Sequence, residues 1–152
     1  MSKYKLIQLT NSNITNIAEN TYLPLGTVTR RVNSTTDNFA TFDVASSYAD
    51  TVTITEPGYY KVTYNGTLSA AAAGIVSVAM LLNTTTVYSV METAAAENDL
   101  VNINLEYVLR VCPNCCSSPY NCPVNINFEL GDTALSATVV STSNVIVEKV
   151  YG

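Results

Sequence analysis

The sequence predicts an all-β sandwich of many short strands. Three observations carry that prediction. Apolar residues recur at every second position along most of the chain, the period of a strand with one buried face. Turn-forming residues separate these runs at short, regular intervals. Only 12% of the 152 residues are charged, against 47% hydrophobic. Average chains carry about 25% charge, so much of the surface here must be Ser, Thr, Asn and small apolar residues.

The cleanest strand is Val124–Leu130, where Val124, Ile126, Phe128 and Leu130 alternate with Asn125, Asn127 and Glu129. A longer one runs from Val101 to Val111, again with one apolar face. Tyr60, Val62, Tyr64 and Leu68 share a face opposite Lys61, Thr63, Asn65 and Thr67. Shorter strands are expected over Thr27–Val32, Asn38–Val44, Val52–Thr55, Gly74–Leu82, Thr86–Met91, Ala134–Val140 and Asn144–Val150. Pro57-Gly58, Asn83, Gly131-Asp132 and a Pro/Cys/Asn loop at 112–123 supply turn chemistry between them. The run Ala70–Ala73 is too short to nucleate a helix without packing and reads as strand; Ala94–Ala96 reads as a strand end or a single helical turn. No internal repeat is present. Immunoglobulin-like and jelly-roll topologies both fit this pattern, but the immunoglobulin Cys…Trp…Cys signature is impossible in a chain without Trp.

The length suits one domain, whose core suffices without staples, since about 150 residues bury roughly 68–70% of their unfolded surface. Residues 1–24 are set apart as an N-terminal segment with the apolar run "YKLIQL". They form either the first strand of the sandwich or an arm that attaches by adding a strand to another protein's sheet edge. Residues 25–152 form the globular part.

The net charge of −5 and the scattered basic residues exclude a nucleic-acid partner, because no basic run exists to meet phosphates. No stretch approaches the roughly 20 apolar residues of a membrane span. The N-terminus lacks an apolar signal core, so synthesis in a reducing cytoplasm is expected. Asn-X-Ser/Thr matches at Asn13, Asn33, Asn65 and Asn83 are read as chance in a Thr- and Asn-rich chain.

Catalysis has little to work with. There is no histidine, hence no Ser-His or Cys-His pair. No Gly-x-Ser-x-Gly elbow and no phosphate-cradling glycine loop occur, and no motif singles out two of the carboxylates. No catalytic residue and no cofactor are assigned. The one chemical cluster is "CPNCCSSPYNCP", which holds all four cysteines, Cys112, Cys115, Cys116 and Cys122. They either staple the loop as disulfides, remain free thiols, or wrap one metal ion such as zinc; a redox pair is disfavoured, because such motifs belong near βαβ patterns.

The stretch "PGYYKVTY", with Gly58, Tyr60, Val62 and Tyr64, resembles a strand of the tumour-necrosis-factor/complement-type globular head. "VSVAMLLNTTTVYS", "NINFELGDTALSATVV" and "SNVIVEKV" are similar to later strands of that family, in the right order. The resemblance covers Leu25 to Val150. "LPLGTVTRRVN", "TFDV" and "EPGYYKV" look like the bacterial and phage kind, with a missing collagen stalk and an added cysteine loop as departures. It implies a ten-stranded jelly roll in a compact homotrimer, with inner-sheet aromatics near the threefold axis. Tyr60, Val62 and Tyr64 are the expected trimer-interface residues, with ordinary core filling as the competing role. The function implied is that of a non-enzymatic virion surface protein, a head fibre or capsid decoration knob, whose partners are its own copies and a major capsid or other virion protein. The alternatives are a receptor- or glycan-binding tip of a phage tail fibre, the head of a bacterial collagen-like surface protein, or a small carbohydrate-active enzyme.

Overall fold

The computed structural model describes residues 5–32, 40–43, 50–54, 56–113, 120, 121, 123–131, 137–139 and 143–151. Among them are twelve strands and no helix. All strand pairs are antiparallel, and they form two sheets.

The first sheet is organised around β6 (Gly58–Ala70). The strand β9 (Leu100–Val111) pairs with it along its length, from Gly58 beside Val111 to Ser69 beside Leu100. On the other side, β12 (Ser143–Tyr151) pairs with its first half and β11 (Ala137–Val139) with its last residues. Next to β12 comes β1 (Lys5–Asn11), then β3 (Thr27–Val32); β2 (Thr15–Ile17) pairs with β11. The second sheet has the order β4 (Ala40–Asp43), β5 (Thr51–Ile54), β10 (Val124–Leu130), β7 (Gly74–Leu82), β8 (Thr85–Ala94). The chain changes sheet between β3 and β4, β5 and β6, β6 and β7, β8 and β9, β9 and β10, and β10 and β11. This is the winding of a jelly roll.

The N-terminal segment is built into the sandwich. The strand β1 lies between β12 and β3, with Ile7 and Leu9 fully buried. Residues 20–23 then run along β10: Leu23 N donates to Phe128 O at 2.7 Å, and Leu130 N donates to Thr21 O at 3.1 Å. Leu23 and Leu25 fill the core on either side of position 24, so no domain boundary falls there. Residues 1–4 lie outside the described region.

The alternation in sequence becomes the core. From β6, Tyr60, Val62, Tyr64 and Leu68 point inward with no exposed surface. From the second sheet, Val78, Met80, Ile126 and Phe128 meet them, equally buried. The Tyr64 ring lies 4.9 Å from the Phe128 ring, tilted by 30°. Such offset pairs add about 0.5–1.5 kcal/mol beyond the area they bury.

Two turns show local chemistry at work. Leu82 pairs with Thr85, so Asn83 and Thr84 alone make the β7–β8 hairpin turn. Both have positive φ, 49° and 69°, as a type I′ turn requires. Asn suits that conformation, and β-branched Thr does not. Asn83 also ties the turn to β10, accepting from Asn125 N at 2.9 Å. The first alanine run departs from expectation: β6 stops at Ala70, and Ala71–Ala73 are an exposed connection to β7. At the second run, Ala94 ends β8, and the Asp99 carboxylate accepts from the N–H groups of Ala95 and Ala96. The expected strand Asn38–Val44 is observed over Ala40–Asp43; its flanks, and Asp132 of the Gly-Asp turn, lie outside the described residues.

Candidate assembly surface and cysteine end

Tyr60, Val62 and Tyr64 are not surface residues. Each has zero exposure within a single chain, so none has area left to offer a second copy. The expected trimer-interface set is therefore corrected: these side chains fill the core. The physical reason is the two-residue period of β6. Only one of its faces can meet the second sheet, and the apolar face does.

The face that remains available is the alternate one. It carries Tyr59, Lys61, Thr63, Asn65 and Thr67 of β6, beside Arg110, Val108, Glu106, Asn104 and Asn102 of β9. This is a flat, mainly neutral polar surface whose side chains bond across strands. Thr67 donates to Asn102 at 2.7 Å and Thr10 to Asn144 at 2.9 Å. Lys61 and Glu106 form an exposed ion pair at 3.5 Å, worth little in water. Within this face Val108 is 56% and Leu100 66% exposed.

The strand edges beside it are also open. Among the described residues β9 pairs with β6 alone, and β8 with β7 alone. These two long edge strands lie side by side and close one flank of the sandwich, joined by the Tyr88 and Tyr107 rings at 5.9 Å. Tyr88 and Met91 of β8 are exposed. Soluble proteins usually blunt long edges with Lys, Pro or bulges. Here β8 has one charge, Glu92, neither Lys nor Pro, and a single register shift near Met80.

The cysteine loop begins where β9 ends. Cys112 is buried and disulfide-bonded; Cys115, Cys116 and Cys122 lie outside the described residues. Cys112 N donates to Tyr120 O at 2.9 Å, which holds the returning chain against β9. The Tyr107 and Tyr120 hydroxyls are 3.2 Å apart. Tyr107 is pushed up to about 12, first by that hydrogen bond, then by burial and by the neighbouring phenol's charge. It therefore stays protonated and able to donate at any physiological pH. Tyr107, Val108, Leu109, Arg110, Cys112 and Tyr120 line a cavity of about 280 Å³. Among the described residues no group of three or more His, Cys, Asp or Glu is placed to hold a metal ion.

On the outward face at this end, the Arg110 guanidinium sits 5.9 Å over the Tyr59 ring, and Tyr59 meets Tyr151 edge-on at 6.0 Å. Sequence reasoning passed over Tyr59 because it stands beside Tyr60, yet period two alone puts neighbours on opposite faces. The pairing of Tyr59 with Tyr151 had no local signal, since it depends on β12 returning beside β6.

The two sheets have the jelly-roll fold seen in tumour-necrosis-factor/complement-type heads. No protein-family model matches the sequence, and no curated protein sequence is similar to it. Solved structures are similar over nearly the whole chain. The structure of Eiger TNF from S. frugiperda aligns with a TM-score of 0.67 at 7% identity, covering 97% of this chain and 92% of that one. The globular domain of zebrafish complement 1qA protein gives 0.59 at 9% identity, with 95% and 94% covered. PRD1 vertex protein P5 gives 0.55 at 13% identity, with 95% and 96% covered. At such identities the likeness establishes the fold.

Proposed function

We propose that this chain is a non-enzymatic, homotrimeric surface protein of a virion, a head fibre or decoration knob that acts in assembly and display. The observation that carries trimerisation is the pair of long, weakly charged edge strands β8 and β9, with Tyr88, Met91, Leu100 and Val108 exposed beside a flat neutral sheet face. A second copy that lays its edge against this face covers both. The likeness to PRD1 vertex protein P5 supports the virion setting. Light scattering at micromolar concentration should give three times 16.3 kDa. Val108→Glu should give a folded monomer by circular dichroism. A wild-type monomer refutes the trimer, and absence of the chain from purified particles refutes the virion role.

A second reading, a receptor- or glycan-binding tip, draws on the tyrosine-walled cavity beside Arg110. Aromatic faces with a cation and phenol donors suit a sugar ring. A glycan array with wild type and Tyr107→Ala tests it.

A further inference from the structure

Charge is sorted along the sandwich. In the register, Lys5 stands beside Lys149, Lys61 beside Glu148 and Val108, and Arg110 beside Tyr59. Arg30 and Arg31 pair with Gln8 and Ile7 of β1. Six of the chain's seven Lys and Arg residues thus lie on first-sheet strands, within the half nearer the cysteine loop, where β1 begins and β12 ends. The strands of the second sheet have none. The opposite end carries Glu19, Glu97 and Asp99 in its loops, with Glu92 and Glu129 on the adjoining strand ends, and no basic residue among the described ones. The half nearer the cysteine loop also holds Glu56, Glu106 and Glu148, so its six basic residues outnumber its acids, and a chain of net charge −5 is polarised, with a net basic end and an acidic end.

The basic end is also where the exposed aromatics gather. Tyr59 is 40% and Tyr151 68% exposed, flanked by Val150 and Val108. Arg110 lies over Tyr59. Two other cations are already engaged: Lys149 is buried 3.4 Å from Glu56, and Lys61 pairs with Glu106. Tyrosine, arginine and apolar side chains in one patch are the composition of protein-interface centres.

We propose that this end, centred on Tyr59, Arg110 and Tyr151, is a docking surface for an acidic protein partner, which leaves the acidic end facing away. The sign of the patch selects the partner's charge, and the like charge elsewhere on the chain repels that partner from every other approach. The patch does not suit nucleic acid. Its cations are single, separated by tyrosine and valine, and do not form a stripe that could follow a phosphate backbone. The patch shares β9 and Val108 with the self-association surface proposed above, so the inference rests on an assembly that leaves the Tyr59, Arg110 and Tyr151 end of that face uncovered.

The test titrates a short poly-L-glutamate peptide into the isotopically labelled full chain and follows backbone resonances. Shifts should concentrate at Tyr59, Lys61, Arg110 and Tyr151. Arg110→Glu should weaken binding at least about tenfold, the loss expected of an interface anchor, while Glu97→Lys at the opposite end leaves it unchanged. Arg110→Gln, which removes charge without reversing it, serves if the Glu variant misfolds. The proposal is overturned if the shifts fall elsewhere, or if an oligonucleotide binds as tightly as the peptide. It is also overturned if the chain alone self-associates in low salt in a way that Arg110→Glu abolishes, because the occupant is then the acidic end of a second copy.

Discussion

Replacing Tyr64 with phenylalanine should stabilise the protein, and the gain should grow at alkaline pH. The Tyr64 ring is packed on Phe128, and its hydroxyl is buried with no formed hydrogen bond among the described residues. The position of a Cβ on Gly66 would be 2.8 Å from that oxygen, so the hydroxyl lies close against Gly66. Burial pushes Tyr64 up from 10.0 to about 12; Ser143 draws it back a little, close enough to be felt but outside hydrogen-bond geometry. A buried polar group without a partner costs about 1–3 kcal/mol. Tyr64→Phe removes that cost and leaves a void the size of one oxygen. The expected net gain at pH 8 is about 1 kcal/mol, a rise in thermal midpoint of roughly 2–4 °C for a chain of this length.

The alkaline behaviour follows from linkage. The unfolded chain releases the phenol proton near pH 10 and the folded chain only near pH 12. Between those values the unfolded state binds fewer protons, so stability falls as pH rises. Two units at 1.36 kcal/mol each give a loss of about 2.7 kcal/mol across the window. The phenylalanine variant has no such group and should lack this part of the decline. Tyr107, also raised, is present in both proteins and cancels in their difference. Urea unfolding of both at matched concentration, from pH 8 to pH 11.5, measures the difference directly. A variant less stable than wild type at pH 8, or a difference that stays flat with pH, refutes the claim that this hydroxyl is buried without a partner.

Gly26→Ala should destabilise the fold by several kcal/mol, since Gly26 has φ +86° and its Cβ would fall 2.0 Å from the Thr10 carbonyl oxygen, where only backbone could move; a urea midpoint within error of wild type would contradict the close approach of this turn to β1. Thr84→Gly should stabilise by about 1 kcal/mol, because it relieves a β-branched residue at φ 69° in the β7–β8 turn; calorimetry that shows a lower midpoint would contradict it. Replacing all four cysteines with serine should leave the sandwich folded, with a loss of at most about 3 kcal/mol per closed loop of some fifteen residues. Collapse of the far-ultraviolet β signal in that variant would show that the Cys112 bridge supports more than its own loop.

Period two made the strands legible before any coordinates. Val124–Leu130 and Gly74–Leu82 have the bounds read from the sequence, because a half-buried strand must alternate and a turn must interrupt it. The inward set of β6 was equally visible, as Tyr60, Val62 and Tyr64 against Lys61, Thr63 and Asn65. What alternation does not contain is the identity of the neighbour. A row of tyrosines reads the same whether it packs on the second sheet of its own chain or on another copy. Pairing partners far apart in sequence decided that: β10 brought Phe128 onto Tyr64 and returned those side chains to the core. The same distant pairings made β1 an interior strand, since β12, which covers the side that β3 leaves open, comes from residues more than a hundred positions away. They also gathered Arg110, Tyr59 and Tyr151, from three strands, into one patch. Local physics determines which residues can form a strand and which face is apolar; only the closed sandwich determines what each face meets.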